Sequence, residues 1–192
     1  MSVEEIIRKL EEDDRNRPYT ERGIKPVFQV SPEARVLLIG QAPGRKVEES
    51  GIPFHDQAGK TLMDWLGIGP EIFYSEKIGI LPMDFYYPGK GKSGDLPPRK
   101  FIAEDYHKDL LQLMPKVSLT ILIGRYSTDY YLADCRKKNL TETVRSFEEY
   151  LPQYFPIVHP SPLNQRWQKK NPWFLEGVIP ELKEQTAQAL RM

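Results

Sequence analysis

Cysteine, histidine and long apolar runs are all scarce in this chain of 192 residues. The single cysteine, Cys135, excludes an internal disulfide framework. It equally excludes a cysteine-ligated zinc site or an iron–sulfur cluster held by this chain alone. Three histidines argue against a His-rich metal site. No apolar run approaches the ~20 residues that a membrane span needs. The opening residues MSVEEIIRKL are acidic and amphipathic. They lack the basic segment and apolar stretch of a secretory signal, so a cytoplasmic protein is expected. Net charge is missing too, because 27 Lys and Arg balance 27 Asp and Glu. That balance argues against a surface coated in basic charge. It leaves room for a local basic site, since binding follows charge distribution as well as the total.

What is present is an ordinary apolar content of 40%, enough in a chain this long to build a core without staples. The 17 prolines exceed the usual ~5% and cluster in short stretches that read as shaped loops. There is no internal repeat and no low-complexity segment. Ser2 followed by Glu5 resembles a capping box, and Ile6, Ile7 and Leu10 supply an apolar stripe, which predicts a helix over 3–14. Pro18 to Pro32 reads as a loop. Four short apolar runs follow: VLLIG (36–40), IGILP (78–82), LTILIG (119–124) and FPIVHP (155–160). Helix-like segments at 59–67, 101–114, 125–134 and 172–190 lie between and after them, with Pro180 expected to kink or restart the last. Continuous apolar strands alternating with helices predict an α/β protein, a three-layer α/β/α sandwich around a parallel sheet of about four strands. The expected organisation is one domain over 1–192, with its core at about 33–190.

In such sheets ligands bind at the carboxyl ends of the strands. The unusual loops of this sequence fall there. Strand one breaks into Gly40-Gln41-Ala42-Pro43-Gly44, a tight turn whose exposed N–H groups suit an anion or a carbonyl oxygen, or serve only as a βα turn. It lacks the Gly-x-Gly-x-x-Gly of a dinucleotide site. Phe54-His55-Asp56 before Gly59 offers a ring to stack on a planar ligand, and a carboxylate that either orients water or caps the following helix. Gly91-Lys92-Ser93 is not a phosphate loop, because position 86 is Tyr where that motif needs Gly and no helix follows. The segment remains a net positive loop, with Lys90, Lys92, Arg99 and Lys100 against Asp95. Its functional reading is contact with a phosphate backbone, and its plain reading is a solvated loop. Strand four ends at His159-Pro160-Ser161-Pro162-Leu163-Asn164. A neutral imidazole there can stabilise charge on a leaving group, and Leu163 on a stiff loop can act as an apolar wedge in a base stack. Arg166, Lys169 and Lys170 add local positive charge around Trp167 and Trp173. Other aromatics, such as Trp65 and Tyr130-Tyr131, read as packing.

Together these residues resemble the uracil-DNA glycosylase superfamily. Gly40-Gln41-Ala42-Pro43-Gly44 with Gly51-x-Pro53-Phe54-x-Asp56-x-Ala58-Gly59 is similar to its first motif, and His159-Pro160-Ser161-Pro162-Leu163 to its second. The likeness covers roughly 33–175. It implies a four-stranded α/β/α fold and removal of a base by hydrolysis of the N-glycosidic bond, without a cofactor. It implies that the turn Gly40, Gln41 and Ala42 holds a base carbonyl, that Phe54 stacks on the base, and that His159 stabilises the departing base anion. Leu163, carried by Ser161 and Pro162, would fill the gap left by a flipped nucleotide. Lys90, Lys92, Arg166 and Lys169 would contact DNA.

The chain departs from the family pattern at several points. Ala42 stands where the most uracil-specific members have Asp, and Gly44 where they have Tyr. The four cysteines of the iron–sulfur members, and their Glu at the position of Gln41, are absent. The base-reading Asn after strand two is not evident among Leu81, Pro82, Met83 and Asp84. The better match is a broad-specificity class with an acid just before the Ala-Gly of the first motif. That class makes Asp56 the water-orienting group beside His159, with Asp84 as a second candidate acid at the base and His55 as a possible contributor. The expected partner is DNA carrying a damaged or deaminated base, met by a monomer, with no membrane and no iron–sulfur cluster. Two alternatives stay open: a non-catalytic binder of damaged DNA with the same fold, suggested by Ala42, and a nucleoside or nucleotide hydrolase, suggested by the neutral charge.

Overall fold

The computed structural model describes residues 1–192. Four strands form its sheet: β1 (Val36–Ile39), β2 (Ile78–Ile80), β3 (Leu119–Ile123) and β4 (Tyr154–Ile157). Their order across the sheet is β2-β1-β3-β4, and every pairing is parallel. Val36 pairs with both Ile78 and Leu119, and Ile123 pairs with Ile157. The continuous apolar runs have a direct cause. Successive side chains point to opposite faces, and both faces are covered. Val36 and Leu38 enter one core with Ile121 and Phe155, whereas Leu37 and Ile39 enter the other with Leu122. Burying each such side chain contributes about 1.5–3 kcal/mol.

The helices are α1 (Val3–Glu12), α2 (Arg17–Thr20), α3 (Arg45–Ser50), α4 (Gln57–Leu66), α5 (Pro70–Phe73), α6 (Lys108–Gln112), α7 (Arg125–Tyr131), α8 (Leu140–Arg145), α9 (Gln165–Lys170) and α10 (Ile179–Arg191). In α1 the Ser2 hydroxyl accepts the Glu5 N–H at 3.2 Å, while the Glu5 carboxylate accepts the Ser2 N–H at 2.7 Å. Ile6 and Leu10, one turn apart, bury its inner face in the second core. The helix ends at Glu12, two residues before the predicted limit. A π-helical turn, Phe174–Val178, leads into α10, which restarts with Pro180 in its first turn, where a missing N–H costs nothing. Residues 18–20, expected in a loop, belong to the single turn α2. The helices α3, α8 and α9 carry too few apolar residues to announce themselves by periodicity.

None of the helices is long and apolar enough to cross a membrane. No group of three or more His, Cys, Asp or Glu is placed to hold a metal ion. Because all strands run the same way, all four carboxyl ends meet at one edge. The chain leaves central β1 for β2 on one side, and β3 lies on its other side. The crevice of an open parallel sheet forms at such a reversal.

Candidate active site

A cleft of about 370 Å³ opens at this edge. Its first wall is the turn after β1. The Gly40 and Gln41 carbonyls accept the N–H groups of Met83 (2.9 Å) and Asp84 (3.1 Å), which extends the β1–β2 pairing past the strands. The N–H groups of Gln41 and Ala42 donate to no main-chain group. Gly40, Gln41 and Ala42 all line the cleft.

Phe54 lies above that turn at φ 54°, a left-handed backbone conformation that costs a non-glycine residue about 1 kcal/mol or more. Gly59 makes the arrangement possible. A Cβ at Gly59 would sit 1.8 Å from the Phe54 carbonyl oxygen, so this close approach requires glycine. The Phe54 ring packs over Gly40 and meets Phe73 edge-on at 6.0 Å. The ring is thus held by protein on two sides while the side chain lines the cleft.

Asp56 fills the capping role considered for it and also lines the cleft. It is the N-cap of α4, with Oδ1 accepting the Gly59 N–H at 2.9 Å. Oδ2 accepts nothing from the protein, and the half-buried side chain lines the cleft. His159 arrives from the end of β4. Asn164 Nδ2 donates to its main-chain carbonyl at 2.7 Å, which fastens the loop after it, but the imidazole nitrogens have no protein partner. Burial pushes the imidazole pKa below its ordinary value against the opposing pull of Asp56 and Asp95, so the ring is neutral at neutral pH.

The Pro-rich loop forms the lip. The Ser161 hydroxyl accepts the Leu163 N–H at 3.2 Å and caps the short turn Pro162–Asn164. Leu163 is 87% exposed, the most exposed large apolar side chain in the chain. Ser161 and Leu163 line the cleft. Pro162, Arg166 and Lys169 are exposed outside it on the same lip. Lys92 is exposed on the loop after β2. Lys90 lies in a neighbouring groove with Arg22, Arg45 and Tyr87, which shares Asp95 with the cleft.

The structure corrects three expectations. Asp84 does not reach the cleft. It is fully buried, and its carboxylate is bonded twice to the Arg99 guanidinium (2.8 and 2.8 Å) and to the N–H groups of Tyr86 (3.1 Å) and Arg99 (3.0 Å). With every lone pair engaged, it has nothing to offer a base. Arg99 leaves the positive loop for the same reason. Its remaining nitrogen donates to the Arg15 carbonyl and to Asn16 Oδ1, which ties the N-terminal segment to the loop after β2. His55 is exposed and outside the cleft lining.

The sequence reading missed Ser93, Asp95 and Tyr126, which also line the cleft. Asp95 reads in sequence only as the acid that offsets a basic loop. Tyr126 had a usable signal, because it stands three residues past β3 at the same sheet edge.

Residues 27–183 match the profile of the uracil DNA glycosylase superfamily. A type-4 uracil-DNA glycosylase of Sulfurisphaera tokodaii is 26% identical over 142 residues, which is 68% of this chain and 61% of that protein. The match therefore spans less than two thirds of that relative. A solution NMR structure from Methanosarcina acetivorans, a candidate uracil DNA glycosylase, aligns at a TM-score of 0.46 with 16% identity, covering 82% of this chain and 98% of that one.

Proposed function

The chain belongs to the uracil DNA glycosylase superfamily, and on that premise we propose that it is a DNA glycosylase that hydrolyses the N-glycosidic bond of uracil or another deaminated base. The observation that carries this reading is the meeting of Asp56, with one free carboxylate oxygen, and a neutral His159 in one cleft, beneath an exposed Leu163.

The steps follow from these groups. Leu163 enters the base stack as the target nucleotide leaves it, filling the vacated volume with apolar surface. The base lies against Phe54, and one of its carbonyls accepts from the free N–H groups of Gln41 and Ala42. As the bond from C1′ to the base nitrogen lengthens, its electron pair moves onto the base. A ring N–H of His159 donates to the oxygen that gains charge. A neutral imidazole does this as a hydrogen-bond donor and keeps its proton. Water attacks C1′, and Asp56 Oδ2 accepts its proton, which passes on to the departing base. The products are an abasic site and the free base. Lys90, Lys92, Arg166 and Lys169 hold the phosphates on either side, so affinity falls with salt.

An abasic-site assay tests the reading. Oligonucleotides with uracil, hypoxanthine or xanthine are incubated with the wild type, His159→Ala and Asp56→Ala. Alkali-labile cleavage by the wild type and its loss in both variants is the expected result. DNA binding without cleavage on any substrate favours the non-catalytic binder. Turnover of free nucleosides with no salt-sensitive DNA affinity favours the nucleoside hydrolase.

A further inference from the structure

The cleft has an apolar floor at the end of β2. Val27, Ile80 and Pro82 line it, and the Pro82 carbonyl already accepts from His107 Nε2 at 2.9 Å. No amide side chain reaches in from that strand. Side-chain atoms able to read a base edge must come from elsewhere, with Asp56 and His159 engaged in the chemistry proposed above.

The loop after β2 supplies them. Gly89 to Leu96 folds back on itself, with the Gly91 N–H donating to the Gly94 carbonyl and the Leu96 N–H to the Gly89 carbonyl, each at 2.8 Å. The Gln41 side-chain amide makes a long contact (3.5 Å) with the Leu96 carbonyl, which joins this loop to the turn after β1. Ser93, Gly94 and Asp95 thereby form a wall of the cleft. Asp95 is anchored but not spent. Its Oδ1 accepts the Tyr87 hydroxyl at 3.1 Å, and Oδ2 has no protein partner.

We propose that Asp95 reads the base edge by accepting the ring N–H of a lactam, and so selects deaminated bases over their amino parents. The proposal rests on the glycosylase reading and adds the residue that sets its specificity. A carboxylate can only accept hydrogen bonds. Uracil offers it N3–H and hypoxanthine N1–H. Cytosine and adenine offer a lone pair at those positions, which faces the carboxylate as acceptor against acceptor and leaves both unpaired. The free N–H groups of Gln41 and Ala42 complete the match. They line the same cleft as Asp95, so it holds both donors and an acceptor for the C=O and N–H of a lactam. Loss of one charged hydrogen bond to a base edge lowers its recognition ~10–100-fold.

The test uses oligonucleotides containing deoxyuridine or N3-methyldeoxyuridine, which keeps both carbonyls but has no N3–H. Single-turnover excision is measured for the wild type and Asp95→Ala, with melting temperatures to verify folding of this exposed-loop variant. The wild type is expected to favour uracil over 3-methyluracil by ~10–100-fold. Asp95→Ala is expected to lose uracil excision by a similar factor while the 3-methyluracil rate holds or rises, so the preference collapses. An unchanged preference in Asp95→Ala, or no preference in the wild type, overturns the assignment of Asp95 and leaves the glycosylase reading standing. A wild type that excises neither base, nor hypoxanthine, overturns both.

Discussion

Two histidine–aspartate regions lie near the same sheet edge and differ in one respect. The side chains of Asp84, Arg99 and His107 all have protein partners. Asp84 takes four hydrogen bonds, and His107 bridges the Pro82 carbonyl (2.9 Å) and the Tyr131 hydroxyl (2.7 Å) between stacked Phe85 and Tyr131 rings. Around Asp56 and His159, a carboxylate oxygen and the imidazole nitrogens have no protein partner. A buried polar group is costly to leave unpaired. The saturated region therefore holds the fold together, and the open one is available to a ligand. The type of residue does not separate the two regions. The number of unused hydrogen bonds does.

The comparison breaks most strongly at Arg99. Arg99→Met leaves the Asp84 carboxylate buried without its partner, and the expected loss is about 3–5 kcal/mol of unfolding free energy in urea titration. Excision by the fraction still folded should be unimpaired. His159→Ala is the converse. Its stability should change little, while single-turnover excision falls ~10²–10³-fold.

Acid sharpens the contrast further. Burial holds the His107 pKa at about 4, below the ordinary 6.5. The unfolded chain binds a proton at this position in the window between those values, and the folded chain resists it. Stability is thus whole above about pH 6.5, falls as pH drops through the window, and has lost about 3 kcal/mol below about pH 4. Chemical denaturation across pH should show this slope, and His107→Gln should flatten it. The smallest expected effect is at the lip. Leu163→Ala should leave the melting temperature unchanged and slow excision from duplex DNA about tenfold, with less effect on single strands, where no stack has to be opened.

Much of the frame is legible in sequence, because a strand covered on both faces must be apolar throughout. Three of the four runs contain their strands, and the fourth, 155–160, covers all of β4 except Tyr154. Boundaries shift where polar or special residues intrude, as at His159 and Pro160, which follow β4 rather than belonging to it. The turn after β1, Phe54, Asp56, His159 and Leu163 announce themselves by local motifs at strand ends, and the fold brings them to one cleft. Asp84 and Asp95 could not be ranked that way. Both follow β2, and what separates them is the position of Arg99, fifteen residues beyond Asp84, whose guanidinium closes on one carboxylate and not the other. That is a tertiary pairing without a local signature. Asp56 also shows that a helix cap and a group open to a ligand need not exclude each other, since a carboxylate has two oxygens.

The most direct test of this account compares Asp56→Asn with Asp84→Asn in single-turnover excision of uracil, at a temperature where both variants are folded. The account predicts that Asp56→Asn abolishes cleavage, and that Asp84→Asn retains the wild-type rate while melting at a lower temperature. Full cleavage by Asp56→Asn, or its loss in a folded Asp84→Asn, would contradict it.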